Sequence, residues 1–337
     1  MWLVFTPFYI ELFMGQFSLL MGSVVFWLGL AVHSDHRRGL LATWTASLLI
    51  KTNSLILLPV AFQTGWFKQA LKGMALAAAL NLPYFLLTPG SWDTWSSNFD
   101  FAVSGQIADP HAGNLGLSSV QALLKGNAGQ SVWAEIGRSL AALPWGLGIV
   151  AASLAVTALS GKRQVIPLIA LWTCAYFLIH DEVWEHHYVM LLPVLVLLVM
   201  FEPKLRPATV LVYALIALPT PYAAFQTMPA PEPRVWFFDP QPYWSDIEIY
   251  VYHLSKVLPV LALWGMLGWR LARGESGMLA TNVKTLTRRF ADSNLSTRPS
   301  PARHLARPRP LLNISCSPAW ATRLGGRLTV RASDLTR

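Results

Sequence analysis

The densest chemistry in the sequence is the run His180-Asp181-Glu182-Val183-Trp184-Glu185-His186-His187-Tyr188, in which carboxylates and imidazoles alternate between two apolar stretches. Such a run could supply a general base, ligands for a phosphate or a metal site. A hydrated loop that keeps its hairpin at an interface would use the same residues. The spacing is not His-Glu-x-x-His and no paired cysteines accompany it, so metal is the weaker of these readings. Lys51 comes next: it follows Ser47-Leu48-Leu49-Ile50 and precedes Thr52-Asn53-Ser54, which sets a cation and several hydrogen-bonding groups at one vertex. That combination suits a phosphate, and snorkelling to a membrane interface is the alternative. Glu11 with Gly15-Gln16 interrupts an apolar run and offers an acceptor and an amide for a sugar hydroxyl. Asn114 lies in a polar stretch with Asp93, Asp100, Asp109 and His111. There is no Gly-rich phosphate loop, Walker pattern or nucleophile elbow, so ATP-driven transport has no local support.

The elements that must position these residues are apolar helices. Of 337 residues 54% are hydrophobic and 13% charged, about half the charge a soluble domain carries, which excludes an ordinary soluble enzyme. The expected architecture is an all-α, polytopic transmembrane helical bundle with about seven full spans, near 17–33, 73–88, 141–160, 165–180, 187–201, 207–223 and 251–271. A further apolar stretch, 39–64, is broken at Lys51-Thr52-Asn53-Ser54. Charge decides how it runs. The breaks at 34–38, 65–72, 161–164 and 202–206, with Arg270 and Arg273, hold ten Lys/Arg and two acids, whereas 89–140, 181–186 and 224–250 hold three Lys/Arg and eleven acids. The first set is thereby assigned to the cytoplasm and the second to the outside. Breaks 34–38 and 65–72 then share a side, so 39–64 must turn back as a short broken hairpin with Lys51 near the outer face, beside protein or a water-filled cavity. The spacing of Leu117, Val120, Leu123 and Leu124 predicts a short helix on the membrane surface.

Residues 1–273 form the expected membrane domain. Met1 to Gln16 reads as the exit of a helix whose earlier part is absent. Residues 273–337 carry 12 Lys/Arg against 3 Asp/Glu, which is the whole formal charge of +9. The tail, 274–337, is rich in Arg, Pro and Ser and is expected to be disordered, cytoplasmic and in contact with membrane lipids rather than nucleic acid. The expected location is therefore a cell membrane, crossed several times. Cys174 and Cys316 define neither a disulfide framework nor a metal site.

Several of these pieces, in this order, resemble the polyprenol-phosphate-dependent mannosyltransferases of glycosyltransferase family 87, membrane enzymes of the GT-C class. The resemblance rests on Pro7 with Gly15-Gln16, on Gly39 through Lys51, on Asn114-Leu115-Gly116-Leu117, and on Trp184-Glu185-His186-His187-Tyr188 running into Leu191-Leu192-Pro193. It covers about residues 5–270. It implies a GT-C-like bundle that needs no cofactor and takes a sugar, typically mannose, from a polyprenyl phosphate to a lipid or glycan acceptor on the outer face. In such an enzyme a carboxylate deprotonates the acceptor, and cationic groups stabilise the leaving phosphate. Lys51 and His186 or His187 fit the second role, with Gln16 and Asn114 as hydroxyl or phosphate contacts. The acidic base of the family lies ahead of the matching segment, which leaves Glu11 or Asp181 to replace it. Readings from other classes are a secondary transporter or flippase, and a non-catalytic subunit that holds lipid.

Overall fold

In the computed structural model the described residues are 18–103 (side chains to 97), 114–126, 143–162, 164–180, 183–218 and 245–273, with a few isolated positions. All belong to the first of two units, Met1–Arg288; the second, Arg289–Arg337, lies outside them, as does the whole of the predicted tail. Among the described residues every element is helical. In chain order they are α1 Ser18–His33, α2 Arg37–Ile50, a 3-10 segment Thr52–Leu57, α3 Leu58–Thr64, α4 Phe67–Leu87, α5 Ser91–Val103, α6 Leu117–Gly126, α7 Trp145–Leu159, α8 Val165–Ile179, a 3-10 turn Glu185–Met190, α9 Leu191–Phe201, a short turn Pro203–Leu205, α10 Arg206–Ala217 and α11 Asp246–Arg273.

By length and composition two of these, α4 and α11, can cross a membrane alone, and a third span exists if the bent pair Glu185–Phe201 and Pro203–Ala217 counts as one. The apolar runs suggest seven. The difference lies in geometry: α1, α7 and α8 have 15 or 16 residues, about 24 Å at most, against a hydrocarbon core of about 30 Å. The bent pair turns through 117°. α8 is the centre of the bundle, buried from Val165 to Leu178. Its apolar residues meet other helices, so it reads as a continuous run with no polar face.

The contacts along the helices define two ends. α1 and α9 run parallel: a Cβ on Gly22 would meet Met190 Cα at 2.9 Å, one on Gly29 would meet Leu197, and the His33 ring lies 4.5 Å from that of Phe201. α7 runs parallel to α11, with Ser153 accepting from Trp264 Nε1 at 3.0 Å and Val156 opposite Gly268. At one end Gln63 Nε2 donates to Ser160 O at 2.5 Å and Arg270 pairs with Glu202. At the other, Leu115 N donates to Val183 O at 2.7 Å and Lys256 meets Glu185. These groupings coincide with the two sets of breaks that differ in charge.

The break at Lys51 is real. Its backbone is extended (φ −160°, ψ 128°) between α2 and the 3-10 segment. Asn53 Nδ2 then reaches Tyr176 Oη, near the His180 end of α8, while Gln63 reaches Ser160 at the opposite end. Residues 52–64 thus retrace the length of the bundle. α3 opens with Pro59 in its first turn and closes at Gly65, whose φ of +88° lets its N–H return to Ala61 O. α4 lays its small face, Ala70, Gly73 and Ala77, on α2, where Trp44 Nε1 donates to Ala70 O at 3.0 Å. α6 forms over the predicted leucines, but Leu117 and Val120 are buried in the common core, and the helix packs on α8 and α11.

Candidate functional site

The end of the bundle at His186 concentrates polar groups in an apolar setting. Two elements bring them there. The first is the turn Glu185–Met190, which starts where Trp184 O accepts from His187 N at 2.9 Å. Trp184 N donates to His187 Nδ1 at 3.2 Å. With Nδ1 an acceptor, a neutral His187 carries its proton on Nε2 and presents an N–H donor there. His186 is buried, its ring 4.4 Å from that of His187. The second element is the α2 break. Lys51 stands exposed at the vertex, and burial first, with the Lys51 charge second, holds the pKa of the His186 imidazole down to about 4. The α2 break and the histidines therefore stand at the same end of the bundle, linked through Asn53, Tyr176 and His180.

Asn114 is fully buried and performs a different service. Its Oδ1 accepts from Gly116 N at 2.9 Å and from Val183 N at 3.1 Å, while Nδ2 donates to Ser118 Oγ at 3.3 Å. One amide side chain thus ties the loop before α6 to the loop before the His186 turn. Tyr188 Oη completes the join by donating to Leu115 O at 2.9 Å, and its ring stacks on Phe177 at 4.9 Å. Glu11, Gln16 and Asp181 lie outside the described residues.

α11 contributes two groups that the reading of the sequence passed over. His253 Nδ1 is 2.8 Å from Asn114 O; a carbonyl only accepts, so Nδ1 carries the proton. Lys256, three residues on and on the same face, is 0% exposed. Its Nζ donates to Ile216 O and Leu218 O, each at 2.6 Å, and lies 3.7 Å from Glu185 Oε1. Lys256 closes the C-terminal carbonyls of α10 and neutralises Glu185 at once. Both residues fall inside the predicted span 251–271. An ionisable side chain at such a position is expensive, and that expense was the signal available in the sequence.

Beside the turn a small apolar cavity, with room for little more than a water, lies between α1, the 3-10 segment and α8, lined by Met21, Val25, Ile56, Leu57 and Met190 with Asn53, Ser54, Thr173 and Tyr176. The Ser54 hydroxyl is buried there without a hydrogen-bond partner. This end of the bundle therefore combines a cationic vertex, imidazoles and a small apolar void. Among the described residues no three His, Cys, Asp or Glu side chains converge as metal ligands would. No known family, curated protein or solved structure matches the chain.

Proposed function

We propose that the chain is an integral membrane glycosyltransferase that moves a hexose, mannose by the family resemblance, from a polyprenyl-phosphate donor to a lipid or glycan acceptor. The observation that carries this reading is that the Lys51 break and the histidines stand at one end of the bundle: Asn53 Nδ2 donates to Tyr176 Oη at 2.6 Å, the Tyr176 ring lies 5.0 Å from that of His180, and the His180 ring lies 6.4 Å from that of His187. A phosphate ester of a long isoprenoid needs cations and N–H donors at its head and aliphatic surface along its tail. Lys51 and His187 would hold the leaving phosphate. In this reading Asn114 positions the two loops of the site rather than touching substrate. The His186 end faces outward and the Arg270 end, with the basic tail, faces the cytoplasm, in accord with the charge of the breaks.

In membranes supplied with labelled polyprenyl-phosphate mannose, the full chain should transfer label to lipid, and Lys51→Ala or His187→Ala should abolish that transfer. Flux of substrate across sealed vesicles without a new glycosidic bond would favour a transporter. Binding of polyprenyl phosphate with neither outcome would favour a lipid-holding subunit.

A further inference from the structure

We infer that α5 is an interfacial anchor, lying in the headgroup layer of the membrane leaflet at the Leu87 end of α4 with Trp92 and Trp95 turned to the lipid. The inference is independent of the glycosyltransferase reading and rests on α4 crossing a bilayer.

α4 has 21 residues and is apolar enough to span a membrane by itself. At about 1.5 Å per residue it is about 31 Å long, close to the ~30 Å thickness of a hydrocarbon core, so its ends fall at the two interfaces. From Ala78 to Leu87 every residue except the half-buried Phe85 is exposed. In a membrane this half of the helix is clothed by lipid rather than by the bundle.

The chain then turns. Gly90 takes φ +75°, a conformation that suits glycine. Ser91 N donates to Thr88 O at 3.2 Å, and Ser91 Oγ donates at 3.2 Å to Phe85 O, one of the carbonyls left open where α4 ends. Were α5 collinear with α4, the Trp95 backbone would stand about 15 Å beyond that of Phe85. Instead the two rings are 6.5 Å apart, and the Trp92 ring lies 4.6 Å from the same Phe85. α5 therefore lies across the head of the span rather than prolonging it.

Trp92 and Trp95, three residues apart, share one face of α5. Their rings lie 6.2 Å from each other, and both are half-exposed. Asp93, Thr94 and Ser97 fall on the other side of the helix and are exposed. Tryptophan on one face and polar groups on the other, at the end of a span, suit the boundary between acyl chains and headgroups, where the indole body is apolar and its N–H is solvated. Through Phe85 the tryptophan face continues the lipid-clad surface of α4, which favours lipid over a sugar ring or a second copy of the chain. The sequence of α5 holds Asp93 and Asp100 and no Lys or Arg, so a zwitterionic lipid is the fitting probe.

The test uses the full chain reconstituted in phosphatidylcholine vesicles. Subtracting the emission of W92F/W95F from that of wild type isolates the two indoles. This difference emission should be quenched roughly twofold more by phosphatidylcholine brominated near the carbonyl end of its acyl chains than by lipid brominated near their tips, and should resist iodide placed on both sides of the membrane. Quenching by iodide alone, the mark of a water-facing platform such as one that stacks on sugar, would overturn the inference. Quenching by none of these agents, as at a contact with a second copy, would overturn it too, as would stronger quenching by the deeper bromines. Should W92F/W95F fail to fold, nitroxides on S97C and L86C, in chains that keep both tryptophans and carry C174A/C316S, read the same geometry. The label on S97C should collide more with a water-soluble nickel complex than with oxygen, and the label on L86C the reverse. A label on S97C that favours oxygen, or one on L86C that favours nickel, overturns the inference.

Discussion

Among the described residues the two ends of the bundle each hold one ion pair, and the pairs are built differently. Arg270 and Glu202, at one end, keep 31% and 16% of their side chains exposed, and Arg206 and Arg273 beside them bind a carbonyl and the face of Trp269. Lys256 and Glu185, at the other, keep 0% and 12%. The first arrangement is what long basic side chains do at an interface, where water and headgroups solvate the charge. The second takes a charge out of water inside an apolar helix. Such a group persists only where neighbours satisfy it, and it marks a place where chemistry or specificity needs it. The comparison separates polar residues that solvate an end of the bundle from polar residues that build a site.

The largest effect expected from this difference is on stability. Lys256→Met strands Glu185 and the α10 carbonyls, and should destabilise the detergent-solubilised protein by about 3–5 kcal/mol. Arg270→Met should shift the same unfolding transition by about 1 kcal/mol or less. Equal shifts would erase the distinction between the ends. Asn114→Ala should follow, because it leaves the buried N–H groups of Gly116 and Val183 without their acceptor, at about 1–3 kcal/mol for each. Asn114→Asp keeps an acceptor at that position and should recover part of the loss in the same melts. Gly22→Ala is the smallest of the changes at the His186 end. Its Cβ would press on the Met190 backbone at 2.9 Å, so overpacking of about 1–3 kcal/mol is expected, read as a lower melting temperature and weaker lipid binding.

Much of this arrangement is legible in the sequence. The alternation of basic and acidic breaks separates the residues that meet at each end, and the polar interruption at Lys51 marks where α2 stops and the chain turns back. Those features follow from local composition and charge. What depends on tertiary contact is harder to read. Helix length was one such property: α8 is apolar throughout because other helices surround it, which the sequence cannot distinguish from contact with lipid, so short buried helices resemble spans. Asn114 was another, since an amide in a polar loop looks like a ligand for a sugar until Val183, 69 residues away, is seen to donate to it. His253 and Lys256 were hidden by averaging, because one histidine and one lysine hardly change the hydropathy of a 28-residue helix. Glu185 stood in plain view but carried no distinction from Asp181 or Glu182 until Lys256 was placed opposite it.

The central claim is that the His186 end grips an isoprenoid phosphate through Lys51, and the most direct measurement is a titration of the purified full chain with polyprenyl phosphate. Loss of one charge-assisted contact in Lys51→Ala should weaken binding about ten- to hundredfold, while Arg270→Met, at the opposite end, should bind as wild type does. Binding by Lys51→Ala as tight as that of wild type, or equal weakening by both substitutions, would contradict the account.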